Sequence, residues 1–236
     1  MCIYLPIIHV LGLRGIVKIP LDFHSEIDYC YNLTFGDCSS TCGNGAEVFL
    51  LKYFCFLADC WDVVRSKEVL EIKNWGKLYM IQFEITIKNS GEGWINVFHF
   101  TVGSDNSNYG DRIPAMWIKR NSGSEAGRFH IASAISDNKD MDKEYDYELG
   151  KKYQITIKQF KDNENVYWNY PAYWYEIIIN KESIFKMQNI APQSFPNVKL
   201  YASDPWYNSF SSYHGSICNF WIGKIFDIII YNILCY

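Results

Sequence analysis

Between Ser104 and Pro114, the side chains of Asp105, Asn106, Asn108 and Asp111 place four oxygen donors within seven residues. Calcium takes roughly six to eight hard oxygens and accepts them from irregular loops. Gly103 and Gly110 flank the group and would permit the tight turns that bring it together. The same residue types also form turns, because Asp and Asn side chains bond their own backbone. Arg112 lies beside Asp111 and offers it an ion-pair partner. Calcium ligation and plain turn structure are both open at this point.

A second constellation is Asp204-Pro205-Trp206-Tyr207, with His214 seven residues further on. Proline stiffens the turn, and two adjacent rings in a loop can stack on a sugar face or on a protein partner. Against that, a loop tryptophan can simply cap a core. Arg112, Asp204, Trp206, Tyr207 and His214 are the candidate ligand-binding residues.

Catalysis finds little to work with. Retaining glycoside cleavage needs two carboxyls about 5–5.5 Å apart, which on a strand means same-face acids at close alternate positions. No strand carries Glu-x-Asp-x-x-Glu, and Glu26-Ile27-Asp28 lies outside the strand-rich region. Asp142, Glu144, Asp146 and Glu148 do alternate, within DNKDMDKEYDYE, which reads as a solvated hairpin edge whose charges discourage pairing. That stretch fails as an EF-hand in either register, because the glycine position holds Asp142 or Tyr145. Neither Gly-x-Ser-x-Gly nor His-Glu-x-x-His occurs. His99 and His130 fall inside strands, where packing and hydrogen bonding are expected of them. The expectation is a protein that is not an enzyme.

The elements that must position these residues are strands. KLYMIQFEITIK alternates, with Tyr79, Ile81, Phe83, Ile85 and Ile87 on one face and Gln82, Glu84, Thr86 and Lys88 on the other. KYQITIK repeats the pattern. WINVFHFTV is apolar on both faces and belongs in mid-sheet. Turn formers recur every eight to twelve residues or so, as all-β sandwiches require. No amphipathic helix of useful length appears. NVYWNYPAYWYEI reads equally as a bulging hairpin tip or as the edge of an imperfectly predicted exon.

Aromatic residues make up 17% of the 236, which suits pleated surfaces and recognition loops. Net charge is −4 and there is no basic run, so a nucleic-acid partner is not expected. Four zones result: an apolar lead over 1–29, a cysteine-rich segment over 30–61, a β-sandwich over 62–222, and an appended tail over 223–236. The lead lacks a basic n-region, and both ends are too short in apolar residues to span a bilayer.

Cys30, Cys38, Cys42, Cys55 and Cys60 crowd into 31 residues, whereas Cys2, Cys218 and Cys235 stand apart. Such clustering points to disulfides and an oxidising, extracellular setting; zinc ligation and free thiols remain open. Five is odd, so one cysteine of the cluster lacks a local partner. Asn32-Leu33-Thr34 is a glycosylation sequon, and Asn32 is the candidate acceptor.

GSDNSNYGDRIPAMW, followed about ninety residues later by VKLYASDPWY and GSICNFWI, resembles a concanavalin A-like, laminin-G-like jelly-roll domain of invertebrate extracellular proteins. The likeness covers about 62–222. It implies two packed antiparallel sheets, a secreted or matrix-associated setting, and glycans, proteins or calcium as ligand classes. CSSTCGNG is similar to the core of a thrombospondin type-1 repeat, with Asn32 and Phe35 where that repeat has stacking tryptophans. The segment therefore resembles a degraded repeat. The resulting expectation is a non-enzymatic extracellular recognition or matrix module that binds a glycan or protein partner, with or without calcium. The alternatives are a secreted jelly-roll glycoside hydrolase using the acids of 142–148, and a structural spacer of a longer extracellular protein.

Overall fold

The computed structural model describes residues 17–18, 29–32, 51–56, 60, 65–120, 126–167, 170–211 and 213–225. These residues form strands and turns, with no helix among them. The first strands are β1 (Val17–Lys18), β2 (Tyr29–Asn32), β3 (Leu51–Phe56), β4 (Lys67–Trp75) and β5 (Tyr79–Ile87). Next come β6 (Trp94–Thr101), β7 (Ala115–Arg120), β8 (Gly127–Ile135), β9 (Asn138–Tyr147) and β10 (Lys152–Tyr167). The last are β11 (Tyr170–Ile179), β12 (Glu182–Asn189), β13 (Phe195–Ala202), β14 (Asn208–Ser209) and β15 (Gly215–Ile225).

One sheet has eight strands in the order β1-β2-β3-β15-β5-β10-β11-β12, and the other runs β4-β13-β6-β7-β8-β9, with short β14 pairing β6. All pairings are antiparallel except that of β14 with β6. The core lies between the two sheets. Phe83 of the eight-stranded sheet packs edge-on against Phe98 of the other, at 5.3 Å between ring centroids, and Phe220 stacks beside it. Tyr79, Ile81, Phe83, Ile85 and Ile87 are all buried, as their alternation predicts. So are Phe98, Phe100, Ile155, Ile157, Ile177, Ile179, Val198 and Leu200. Each such side chain contributes about 1.5–3 kcal/mol by leaving water.

Hairpin turns fix the registers. Ser136-Asp137 joins β8 to β9, and Asn180-Lys181 joins β11 to β12; all four residues have positive φ. Paired positive φ matches the twist of the strands that such two-residue turns connect. β10 and β11 pair from Ile155↔Ile179 outward, with an irregularity between Asp162 and Tyr167, which is the bulging tip the sequence suggests.

The eight-stranded sheet crosses the zone limits drawn from composition. β3, from the cysteine-rich segment, pairs with β15, and β15 continues past Ile222 through Gly223, Lys224 and Ile225. Cys30 on β2 lies opposite Cys55 on β3 in register. Cys60 forms a disulfide with Cys218 of β15, 158 residues away, so Cys218 does not stand apart from the cluster but is joined to it. Cys38, Cys42, the thrombospondin-like core and residues 226–236 fall outside the described residues. Asn32 closes β2. No helix among the described residues is long and apolar enough to cross a membrane.

Candidate functional site

The outward face of the seven-stranded sheet is where the chemistry gathers. Register alone sets out its rows. Glu144 lies opposite His130, His130 opposite Trp117, and Trp117 opposite Asn96. Beside that row run Asp146, Arg128, Lys119 and Trp94. On the other side run Asp142, Ala132, Ala115, His99 and Tyr201. Ala115, Trp117 and Ala132 form their own small apolar cluster with Trp94 and Tyr207, separate from the inter-sheet core. Two loops, 102–114 and 203–209, lie over part of this face.

Arg112 pins the first loop. Its guanidinium carbon sits 4.5 Å from the Trp117 ring centre. It donates to Asp105 Oδ1 at 2.8 Å and to Asp140 Oδ1 at 2.6 Å. It also donates to the Tyr207 hydroxyl at 3.1 Å, which in turn donates to Asp105 Oδ2 at 3.0 Å. Burial disfavours the guanidinium charge, but Asp105 and Asp140 outweigh it and hold the pKa above its ordinary value. Arg112 thus pairs with Asp105 and Asp140, not with its neighbour Asp111.

Asp111 is committed elsewhere. Its carboxylate accepts from the Ser104 amide at 3.2 Å, the Ser104 hydroxyl at 2.7 Å and the Asn108 amide at 2.6 Å. Gly110 has a φ of 106°, and a Cβ there would meet the Phe195 ring at 2.7 Å, so this turn demands glycine. Gly103 has open space around it and no such need. Asn106 donates to Asp140, and Asn108 is exposed. The four residues proposed as calcium ligands therefore divide between two hydrogen-bonded networks. The positive charge at Asp105 is already supplied by a guanidinium, so the donor set does not fit calcium.

Burial opposes the Asp111 charge, but the Ser104 hydroxyl and the amides of Asn108, Ser104 and Ser107 prevail and hold its pKa below the ordinary value. A carboxyl depressed by folding stabilises the protein above its unfolded pKa, and loses that contribution as pH falls through the folded value. The loss begins below about pH 5. Asp111→Asn should flatten this acid limb of a stability–pH curve measured by urea unfolding; an unchanged limb would contradict the assignment.

The second loop is anchored by a buried pair. His99 Nδ1 lies 2.7 Å from Asp204 Oδ2, and His99 Nε2 lies 2.6 Å from the Asp111 carbonyl oxygen. A carbonyl only accepts, so Nε2 carries a hydrogen. The Nδ1···Oδ2 contact then needs a second proton between the two groups. Both side chains are fully buried. The other oxygen of Asp204 accepts the amides of Trp206 and Tyr207, each at 3.0 Å. The Asp204 amide donates to Asn96 Oδ1 at 2.8 Å. His99, Asp105 and Asp204 bring ligand atoms within 4.8 Å of one another, but His99 and Asp204 are already engaged with each other.

This anchoring presents two rings outward. Trp206 packs against His99 and Tyr201 and stays 39% exposed, so it caps the outer face, not the inter-sheet core. Tyr207 packs on Trp117 and is half-buried. Trp94 is half-buried between the His130 ring and the Lys119 ammonium, which lies 4.5 Å from its centre. His130 Nδ1 and Trp117 Nε1 are buried with no hydrogen-bond partner among the described residues. His130 nevertheless lies 3.5 Å from Glu144 and 3.8 Å from Asp142. Burial lowers the His130 pKa against the pull of those acids, so the ring is neutral at pH 7. Burial works to raise the Glu144 pKa, but Arg128, its close ion-pair partner, outweighs it and holds the carboxyl below the ordinary range.

Of the five candidate ligand-binding residues, Arg112, Asp204, Trp206 and Tyr207 come together. His214 lies instead at a cleft beside the β5–β6 turn. Trp94, Trp117 and Asp140 join the site without having been singled out in the sequence, and so does His130, expected there only as a packed, hydrogen-bonded strand residue. The outward parity of β7 and β8 was the available signal for Trp117 and His130.

No protein-family model matches the chain, and no curated protein matches it. Among solved structures, it is similar to a heptameric SAP-like pentraxin from Limulus polyphemus, with a TM-score of 0.42, 9% identity, and 65% of this chain and 66% of that chain covered. A marine PL7 alginate lyase from Zobellia galactanivorans aligns with a TM-score of 0.41 and 12% identity, covering 89% of this chain and 93% of that one. The receptor binding domain of botulinum neurotoxin D aligns with a TM-score of 0.41 and 14% identity over 73% of this chain, which spans 37% of that chain. The fold is an all-β sandwich of two sheets. The site lies on the outward face of its seven-stranded sheet, under two loops.

Proposed function

We propose that this β-sandwich is a non-enzymatic extracellular recognition module that holds a glycan on the outward face of its seven-stranded sheet. The observation that carries the reading is the pair of rings, Trp206 and Tyr207, whose backbone N–H groups donate hydrogen bonds to buried Asp204 and hold the loop in place. Rigid aromatic faces flanked by charged groups suit a sugar, whose one face is apolar and whose edges are hydroxyls. Asp105 borders Tyr207 and accepts from its hydroxyl, and on the same face Lys119 lies over Trp94 as a donor. The Cys60–Cys218 disulfide supports an extracellular setting. Calcium has no part in this reading, because Arg112 supplies the cation at Asp105.

Glycoside hydrolysis is the second reading, since Asp142 and Glu144 share the face with Trp94 and Trp117. It needs a general acid whose pKa is raised. Glu144 is displaced the other way.

A glycan array probed with the wild type and with Trp206→Ala tests the proposal, in calcium and in chelator. Binding is expected in both buffers, weakened at least about tenfold by the substitution. Binding lost in chelator would contradict the calcium-free reading. New chain ends released from a bound polysaccharide would replace it with an enzyme, and no binding at all would leave a spacer.

A further inference from the structure

A second constellation lies away from the aromatic face, at one end of the sandwich. A cleft of about 630 Å³ opens between the β5–β6 turn, Asn208, Tyr213 and His214. That volume is within the range of small-molecule sites. Its walls are polar, with Ile95 and Leu149 as apolar exceptions, so an apolar ligand does not suit it.

Three polar side chains of the cleft, His214, Asn89 and Asn208, are held in fixed orientations. His214 Nδ1 accepts the Ser211 amide at 3.2 Å, which leaves the hydrogen of the neutral ring on Nε2. Burial lowers the His214 pKa, so the neutral form holds at pH 7. Nε2 approaches Gly91 so closely that a Cβ there would lie 2.8 Å from it, and Gly91 has a φ of 61°. Only glycine meets both conditions. Asn89 uses its side-chain oxygen on the Gly91 amide, which leaves its NH₂ as donor. Asn208 uses its NH₂ on the Glu92 carbonyl, which leaves its oxygen as acceptor. Lys88, Arg120 and Glu92 add two cations and a carboxylate to the lining. Tyr213 stands over this set with its ring edge-on to His214 and 67% exposed.

We propose that this cleft is a second binding site, which takes a hexopyranose unit. The ring of Tyr213 stacks on the apolar face of the sugar. Asn89, Asn208 and His214 bond neighbouring hydroxyls, which need donors and acceptors side by side. Lys88 and Arg120 line the cleft against the single carboxylate of Glu92, so charge does not select against an acidic sugar, and the placement of the hydroxyl partners carries the assignment. The site is independent of the aromatic face and stands or falls without it.

The test is amide-resolved NMR titration of the full chain with methyl glycosides of glucose, galactose and mannose. Shifts are expected at Gly91, at the Asn89 and Asn208 side-chain amides and at His214 Nε2–H. Tyr213→Ala, a change at an exposed position, should weaken this binding about tenfold. Asn208→Asp should weaken it too, and Trp206→Ala should leave it intact. Shifts confined to the aromatic face, no shifts with any of the three glycosides, or full affinity in Tyr213→Ala would each overturn the proposal.

Discussion

Asp204→Ala is expected to destabilise the protein by about 3–5 kcal/mol, because each buried polar group left without its partner costs about 1–3 kcal/mol. Three donors lose their acceptor at once: His99 Nδ1 and the amides of Trp206 and Tyr207. His99 then sits fully buried with one nitrogen satisfied and one facing a void. In thermal unfolding the loss should be about 10 °C or more for a domain of this size. Asp204→Asn is the informative companion. It keeps an oxygen for the two amides but cannot take part in the same proton arrangement with His99, so its cost should be intermediate. A change of less than about 1 kcal/mol in Asp204→Ala would mean that the loop is held by something other than this pair.

Removing the Cys60–Cys218 bridge should cost about 2–5 kcal/mol, by the chain-entropy argument for a long closed loop. The bridge joins residues 158 apart in sequence, so it restrains almost the whole sandwich in the unfolded chain. The double variant Cys60→Ser/Cys218→Ser avoids leaving a stray thiol. Its urea midpoint should fall clearly below that of the oxidised wild type, with the native spectrum retained in the absence of denaturant. Equal midpoints would show that the bridge does not restrain the ensemble that matters for stability.

Much of the sandwich could be read from the chain because strand alternation is a local property. Tyr79 through Ile87 repeat with period two, and no distant residue is needed to assign their face. β6 resisted that reading. Its register shifts between Asn96 and Phe98, so Trp94 and Asn96 face outward while Phe98 and Phe100 face the core. A parity change of this kind leaves no mark in composition. It hid Trp94, and with it the outward face. Nearness in sequence offers Arg112 to Asp111, but the partners that Arg112 takes are seven and 28 residues away. His214 was grouped with Trp206 and Tyr207 by nearness in sequence, but β14 intervenes and carries the chain to another cleft. The bond from Cys60 to Cys218 had no local signal, since cysteine spacing does not encode connectivity.

Tyr207 of one loop bonds both Asp105 and Arg112 of the other. His99 beneath them holds a carboxylate from the second loop and a backbone oxygen from the first. The two loops are therefore a single unit of variation. Substitutions confined to one of them would disturb the partner loop before they altered what the face recognises, and their energies would not add across the pair. A library meant to retarget this surface would have to vary residues 105, 112 and 207 together, whereas Trp206, which hydrogen-bonds the framework through its backbone amide and whose ring touches His99 and Tyr201, stands outside that side-chain network.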